Sequence, residues 1–261
     1  QPTVRNNNIL NNVHEPIYVR YSTGSGLPNL SNNTISGNGY GNGIGLSGSI
    51  GQNMTLSDNY ELIYTIRDTL VVYDDVTITV DPGVIVKFEN SSHMSVLGEL
   101  NAQGTSELPI YFTSYRDDSV GGDTNGDGDG SEAAPGDWEY INISGAGLLD
   151  YAAIRYGGKL GLTSSPSLYV SGTGSTLTMD HSTVSNSLYK GISIISDGSA
   201  TIMNSTVRDN GSEGIYVEDA SLNISASEIG DNGYAGVYLR GNSAYSDLVV
   251  IDGCSIQGNG E

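Results

Sequence analysis

The chain is poor in the residues that usually build compact globular cores. It has one cysteine, one tryptophan and two phenylalanines in 261 residues. The single cysteine, Cys254, excludes an internal disulfide framework. Positive charge is also scarce: ten lysines and arginines face thirty aspartates and glutamates, a formal net charge of −20. Such a surface repels phosphate backbones, which excludes nucleic acid as a partner. Acidic polysaccharides are repelled too, unless bound cations bridge the like charges. Long hydrophobic runs are missing, because Gly, Asn, Ser and Thr interrupt each apolar stretch after a few residues. No segment is therefore long and apolar enough to span a membrane, and no helical periodicity develops. No secretory leader is evident, and a chain starting at Gln1 is expected of a mature secreted product or a piece of something larger.

What is present is a repeat. Val184, Val207, Ile229 and Ile256 are spaced 23, 22 and 27 residues apart, and Ile9 and Ile35 repeat the pattern at 26. Two residues before each anchor comes a small or polar side chain: Asn7, Asn33, Ser182, Ser205, Ser227 and Cys254. Five residues before each anchor, three before the small residue, is an apolar one: Val4, Leu30, Met179, Ile202, Ile224 and Ile251. Three after the anchor stands Asn12, Asn38, Asn210, Asn232 or Asn259, with Ser187 as the exception. A short apolar strand follows, as in Gly214-Ile215-Tyr216-Val217, where Ile215 and Val217 are expected inward and Tyr216 outward. A fixed period of this size means a solenoid. Strand-length segments without helical spacing give a parallel β-helix of about ten coils whose core consists of ladders of like residues. Asparagine suits the corners because it tolerates left-handed backbone and its amides bond one another along the axis.

The repeats resemble those of the pectin-lyase-like superfamily of right-handed β-helices, which contains polysaccharide lyases, hydrolases and non-catalytic surface proteins. The stretch Val76–Phe88 with Asp81-Pro82-Gly83, Pro109–Ser114, the run Gly121–Gly128, Gly136-Asp137-Trp138 and Tyr156-Gly157-Gly158 are similar to segments of large extracellular β-helix proteins. The resemblance implies an all-β, right-handed parallel β-helix at the cell surface or outside the cell, and no one activity.

Along the chain, residues 1–57 carry regular coils, 58–160 less regular ones with an acidic insertion at 115–137, and 161–261 regular coils again. One continuous solenoid is expected. Neither end shows a capping helix, which predicts open cross-sections suited to end-to-end self-association or to continuation in a longer chain.

The sharpest chemical signal is Asp123-Thr124-Asn125-Gly126-Asp127-Gly128-Asp129. Oxygen side chains at alternating positions match the first half of an EF-hand-like calcium loop, but Ala134 stands where the bidentate glutamate belongs. Asp123, Asn125, Asp127, Asp129 and Glu132 are the expected ligands of a structural Ca2+, with Asp117, Asp118 or Asp137 as further donors; a solvated acidic turn is the alternative. Tyr18, Tyr216 and Tyr238 fall at one outward repeat position and form a candidate carbohydrate platform, though tyrosine also suits exposed strand positions generally. Catalysis has few candidates. Arg155, Lys159 and Arg116 are the only bases close in sequence to the insertion, and the paired-aspartate motifs of polygalacturonase-like hydrolases are not recognisable. The expectation is a non-enzymatic extracellular structural rod (surface layer, adhesin or filament), with a polysaccharide-binding or lyase-like module as the alternative.

Overall fold

The computed structural model describes residues 3–22, 29–39, 43–57, 63–159, 165–241 and 248–260. Among them are short strands and no α-helix. The paired strands run parallel and wind through about nine turns. They stack in three columns. Column I holds Ile85–Phe88, Ile110–Ser114, Ala152–Arg155, Thr183–Ser185, Thr206–Arg208, Glu228–Gly230 and Ser255–Gln257. Column II holds His93–Val96, Ile141–Ile143, Pro166–Ser171, Lys190–Ile195, Ile215–Glu218 and Val237–Arg240. Column III runs from Met54–Leu56 to Val249–Asp252.

The core consists of rungs. In column III, Leu56, Val80, Ala102, Leu149, Met179, Ile202, Ile224 and Ile251 are register partners in turn. All but the last are buried. Each buried aliphatic rung contributes roughly 1.5–3 kcal/mol relative to exposure.

Ile9 pairs with Ile35, and Val184 with Val207, Ile229 and Ile256 in turn, as the spacing predicts. The two sets are not one column. Followed back from Val184 through Ile154, Phe112, Val86 and Tyr64, column I reaches Ile44 and Ile17. The reason lies in two long strands. Tyr64–Val72 and Ile44–Ile50 each pass from column I into column II without a full corner. A bulge after Leu46, where Gly48 takes φ +90°, is the only break. The N-terminal coils are thereby shifted by one strand, and Thr3–Arg5 with Asn29–Ser31 and Asn8–Leu10 with Thr34–Ser36 form small sheets outside the main stack.

The corners also divide the labour differently from expectation. Left-handed backbone is adopted by the residue before each ladder position: Asn11, Asp209 and Asp231 before asparagines and Asn186 before Ser187 all have φ of 55°, and Gly37 and Gly258 have φ of 66° and 68°. The ladder amides themselves serve as hydrogen-bond rungs. Asn232 Oδ1 accepts from the backbone N and the Nδ2 of Asn210, and Asn259 Oδ1 does the same for Asn232. The small-residue column is a second such ladder, because Ser182 N donates to Ser205 Oγ and Ser205 N to Ser227 Oγ. Cys254, half-buried, continues it with its thiol directed at the carbonyls of Asp252 and Ile224.

Candidate functional site

The insertion leaves column I after Ser114 and rejoins the coil at Trp138, which is fully buried. The indole stacks on Phe88 with centroids 4.2 Å apart and donates Nε1–H to the Arg155 carbonyl at 2.9 Å. Between these points the loop lies over the outward side of column I. A Cβ on Gly121 would meet Ile63 and Ile85, one on Gly126 the Gly39 carbonyl, and one on Gly136 Leu188. The segment is thus a strap reaching from an N-terminal coil to the coil containing Leu188.

Charge fastens the strap. Lys87, an outward residue of column I, is completely covered and donates Nζ–H to the Gly122 carbonyl at 2.8 Å. Burial pushes its pKa down to about 8 despite nearby Asp117, Asp118 and Asp123. Asp117 Oδ2 accepts from Thr113 Oγ1 at 2.5 Å and pairs with Arg155 Nη2 at 2.6 Å. Arg116 pairs with Asp137 at 3.1 Å, and Lys159 donates to Asn90. The three candidate bases are therefore all engaged: Arg155 and Arg116 with strap carboxylates, Lys159 with an asparagine. Neither Arg155 nor Lys159 lines the concavities beside the strap.

In the acidic loop, Asp123 Oδ1 accepts from the Gly126 amide at 2.7 Å and Oδ2 from the Gly128 amide at 2.8 Å. The expected ligands separate into two concavities. Asn125 and Asp127 face one of about 330 Å3 with Asp137, whereas Asp129 and Glu132 face one of about 430 Å3 with Asp117 and Asp118. Mutual repulsion explains the separation, and Asp123 finds backbone donors instead. Asp118 fits a cation best. Burial raises its pKa and Asp123 raises it further, while its Oδ1 is buried without a hydrogen-bond partner.

The tyrosines divide. Tyr216 and Tyr238 are register partners on column II with rings 5.6 Å apart and nearly parallel, at 6°. Tyr18 does not join them: its partner Gly45 leads through Thr65 to Lys87 on column I. The one-strand shift of the N-terminal coils is the cause. Tyr18 instead bonds Ser47 at 2.6 Å, with the Arg67 guanidinium 5.4 Å from its ring centre. Tyr216 points away from the core yet is only 7% exposed, because Tyr238 covers one side and Lys190 Nζ sits 3.6 Å from its ring centroid.

Around this pair lies a concavity of about 520 Å3 bearing Tyr169, Lys190, Glu213, Glu218 and Arg240. Tyr216 donates to Glu218 at 2.8 Å, and Arg240 pairs with Glu218 at 3.3 Å. Burial lowers the Lys190 pKa, opposed by Glu213 and Glu218. Aromatics continue along the same face. Tyr140 stacks with His93 at 4.8 Å and meets Tyr169 edge-on at 5.5 Å. Ser193, between Tyr169 and Tyr216 in register, interrupts the track. The charged rim was missed in the sequence, although Lys190 and Glu213 share one repeat position immediately before Gly191 and Gly214.

Residues 166–261 match the family model described as a right handed beta helix region. That match agrees with the parallel β-helix expected from the repeats and with the right-handed coil that their resemblance to pectin-lyase-like β-helices implies. A solved structure, the periplasmic alginate epimerase AlgG, aligns at 10% identity over 83% of this chain and 76% of that chain, with a TM-score of 0.26. So loose a likeness carries no argument about chemistry. No curated protein matches the chain.

Proposed function

We propose that this chain is part of an extracellular or surface-exposed β-helical rod that holds polysaccharide along its column II face. The carrying observation is the stacked Tyr216–Tyr238 pair set in a concavity between Lys190, Arg240, Glu213 and Glu218. The exposed ring of Tyr238 offers a flat face to the apolar face of a sugar, propped by Tyr216, which Tyr238 and Lys190 cover, and fixed charges around it orient hydroxyl or carboxylate groups. Coils repeat at roughly 4.8 Å, so a linear glycan along the axis meets the same repeat position from turn to turn, with an aromatic ring at Tyr169, Tyr216 and Tyr238 and a gap at Ser193. Binding is favoured over cleavage, since the bases beside the strap are all engaged. A panel of neutral and acidic polysaccharides, scored for retention and for absorbance of unsaturated uronates, tests this reading. Retention without new absorbance is expected; no retention on any glycan contradicts it.

The strap is read as a calcium-folded element. The unpartnered Asp118 Oδ1 beside Asp123 and Asp127 supports this. Asp118, Asp129 and Glu132, which face one concavity, would be drawn together around the ion, which would neutralise the loop and fix it against column I. One Ca2+ per chain by calorimetry, lost in Asp118→Asn, is the expected result.

A second reading, lengthwise assembly of a structural rod, has its own observation. On the last described coil Leu239, Ile251 and Ile256 are 52%, 41% and 46% exposed, whereas their partners one coil earlier, Val217, Ile224 and Ile229, are buried. A further coil, from more of the chain or from a second copy, would cover these rungs. Negative-stain imaging with and without chelator tests assembly; single monodisperse rods under both conditions contradict it.

A further inference from the structure

We propose that Asp150, Asp180 and His181 form a binding site for a divalent transition metal of the zinc type. Asp150 and Asp180 are register partners in column III, at the ends of neighbouring strands. Two carboxylates stacked at strand spacing repel each other unless a cation lies between them. The repulsion is confined to these two coils, because the partner of Asp180 on the next strand is Met203.

His181 supplies the third donor. It adopts a left-handed corner, φ 43°, that places Nδ1 3.3 Å from Asp150 Oδ1 and 3.2 Å from Asp180 Oδ1. The three donor atoms lie within 4.8 Å of one another, and no other His, Cys, Asp and Glu side chains converge in this way among the described residues. The ring is held from a second coil: Tyr151, at the equivalent corner, stacks on it at 4.6 Å and 2°. Asp180 Oδ1 is also oriented from the following coil, by the Nδ2–H of Asn204 at 2.9 Å. Three successive turns thus fix the donor set before any ion arrives, and such outer contacts tune metal affinity.

One imidazole nitrogen with two carboxylate oxygens suits Zn2+, leaving a fourth position for water. Ca2+, which takes six to eight oxygens, is poorly served by three donors of which one is nitrogen. The competing arrangement is metal-free, with Nδ1 in contact with both carboxylates.

The test uses the full chain after chelator treatment, titrated with Zn2+ in excess Ca2+ and, separately, with Co2+ to record its visible spectrum. One Zn2+ per chain is expected, with affinity weakened more than about tenfold in Asp180→Asn and in His181→Ala. Alanine is tolerated at this corner, since Ala226 fills the equivalent position at φ 48°, and thermal melts confirm that the variants fold. No uptake by the parent chain, or undiminished uptake by His181→Ala, overturns the proposal and leaves the site as a metal-free polar cluster.

Discussion

Lys87 Nζ donates to the Gly122 carbonyl at 2.8 Å beneath a loop that leaves the lysine no exposed surface. A cation pressed under the strap ties rod stability to pH. Unfolded, the amine titrates near 10.5; folded, near 8. Between those values the unfolded chain binds more protons, so stability rises with pH, by up to about 3 kcal/mol if Lys87 titrates alone. Tyr21 acts in the opposite sense. Burial holds its hydroxyl above the usual 10, so its contribution is lost above that pH. Denaturant midpoints should therefore climb from about pH 8 towards about pH 10 and then fall. Lys87→Met should shrink the climb to what the half-buried Lys190, whose pKa is also lowered, contributes, and an undiminished climb in this variant contradicts the assignment.

The Arg155–Asp117 pair is expected to fasten the strap. Asp117 is 3% exposed, so removing its partner strands a charge. Arg155→Met should cost roughly 3–5 kcal/mol and open the 115–137 segment to protease. The Asp117→Asn, Arg155→Met double variant should lose much less than the sum of the two singles. Additive losses would mean that the two residues do not act together.

The asparagine ladder should weaken in proportion to burial. Replacing Asn210 by alanine removes the acceptor for Ser187 N and the side-chain donor to Asn232 Oδ1 inside the rod, leaving only the backbone N–H of residue 210 on that oxygen, at a cost of roughly 1–3 kcal/mol. Asn12, exposed at the N-terminal coils, should cost well under half as much when changed likewise. Urea unfolding of the two variants measures the difference, and equal losses would contradict the ladder's dependence on burial.

Gly126 tests the path of the strap. It sits at φ +71°, and a Cβ there would fall on the Gly39 carbonyl, so Gly126→Ala should loosen the insertion while leaving the core rungs intact. Hydrogen exchange should rise at 115–137 and stay unchanged at Ile192 and Ile194. A uniform rise along the rod would instead make the strap part of the core.

How legible these features were depended on whether they follow the repeat. The rungs Val184–Ile256 and Met179–Ile251, and the asparagine column, could be read because parallel stacking forces like residues into register. The strand shift at Tyr64–Val72 could not: a missing corner leaves no mark on local alternation, and it carried Tyr18 away from Tyr216. The acidic loop announced itself by composition, but its path over Lys87 depends on contacts between coils. The Asp150–Asp180–His181 cluster was hidden for a related reason. Its members matter only once two turns lie side by side.

The most direct test of the account is glycan binding by paired tyrosine variants. Tyr216→Ala with Tyr238→Ala should abolish retention on whichever polysaccharide the parent chain binds, while Tyr18→Ala, altered on another column, should bind as the parent does. Equal weakening by Tyr18→Ala, or full retention by the double variant, would contradict the placement of the binding face.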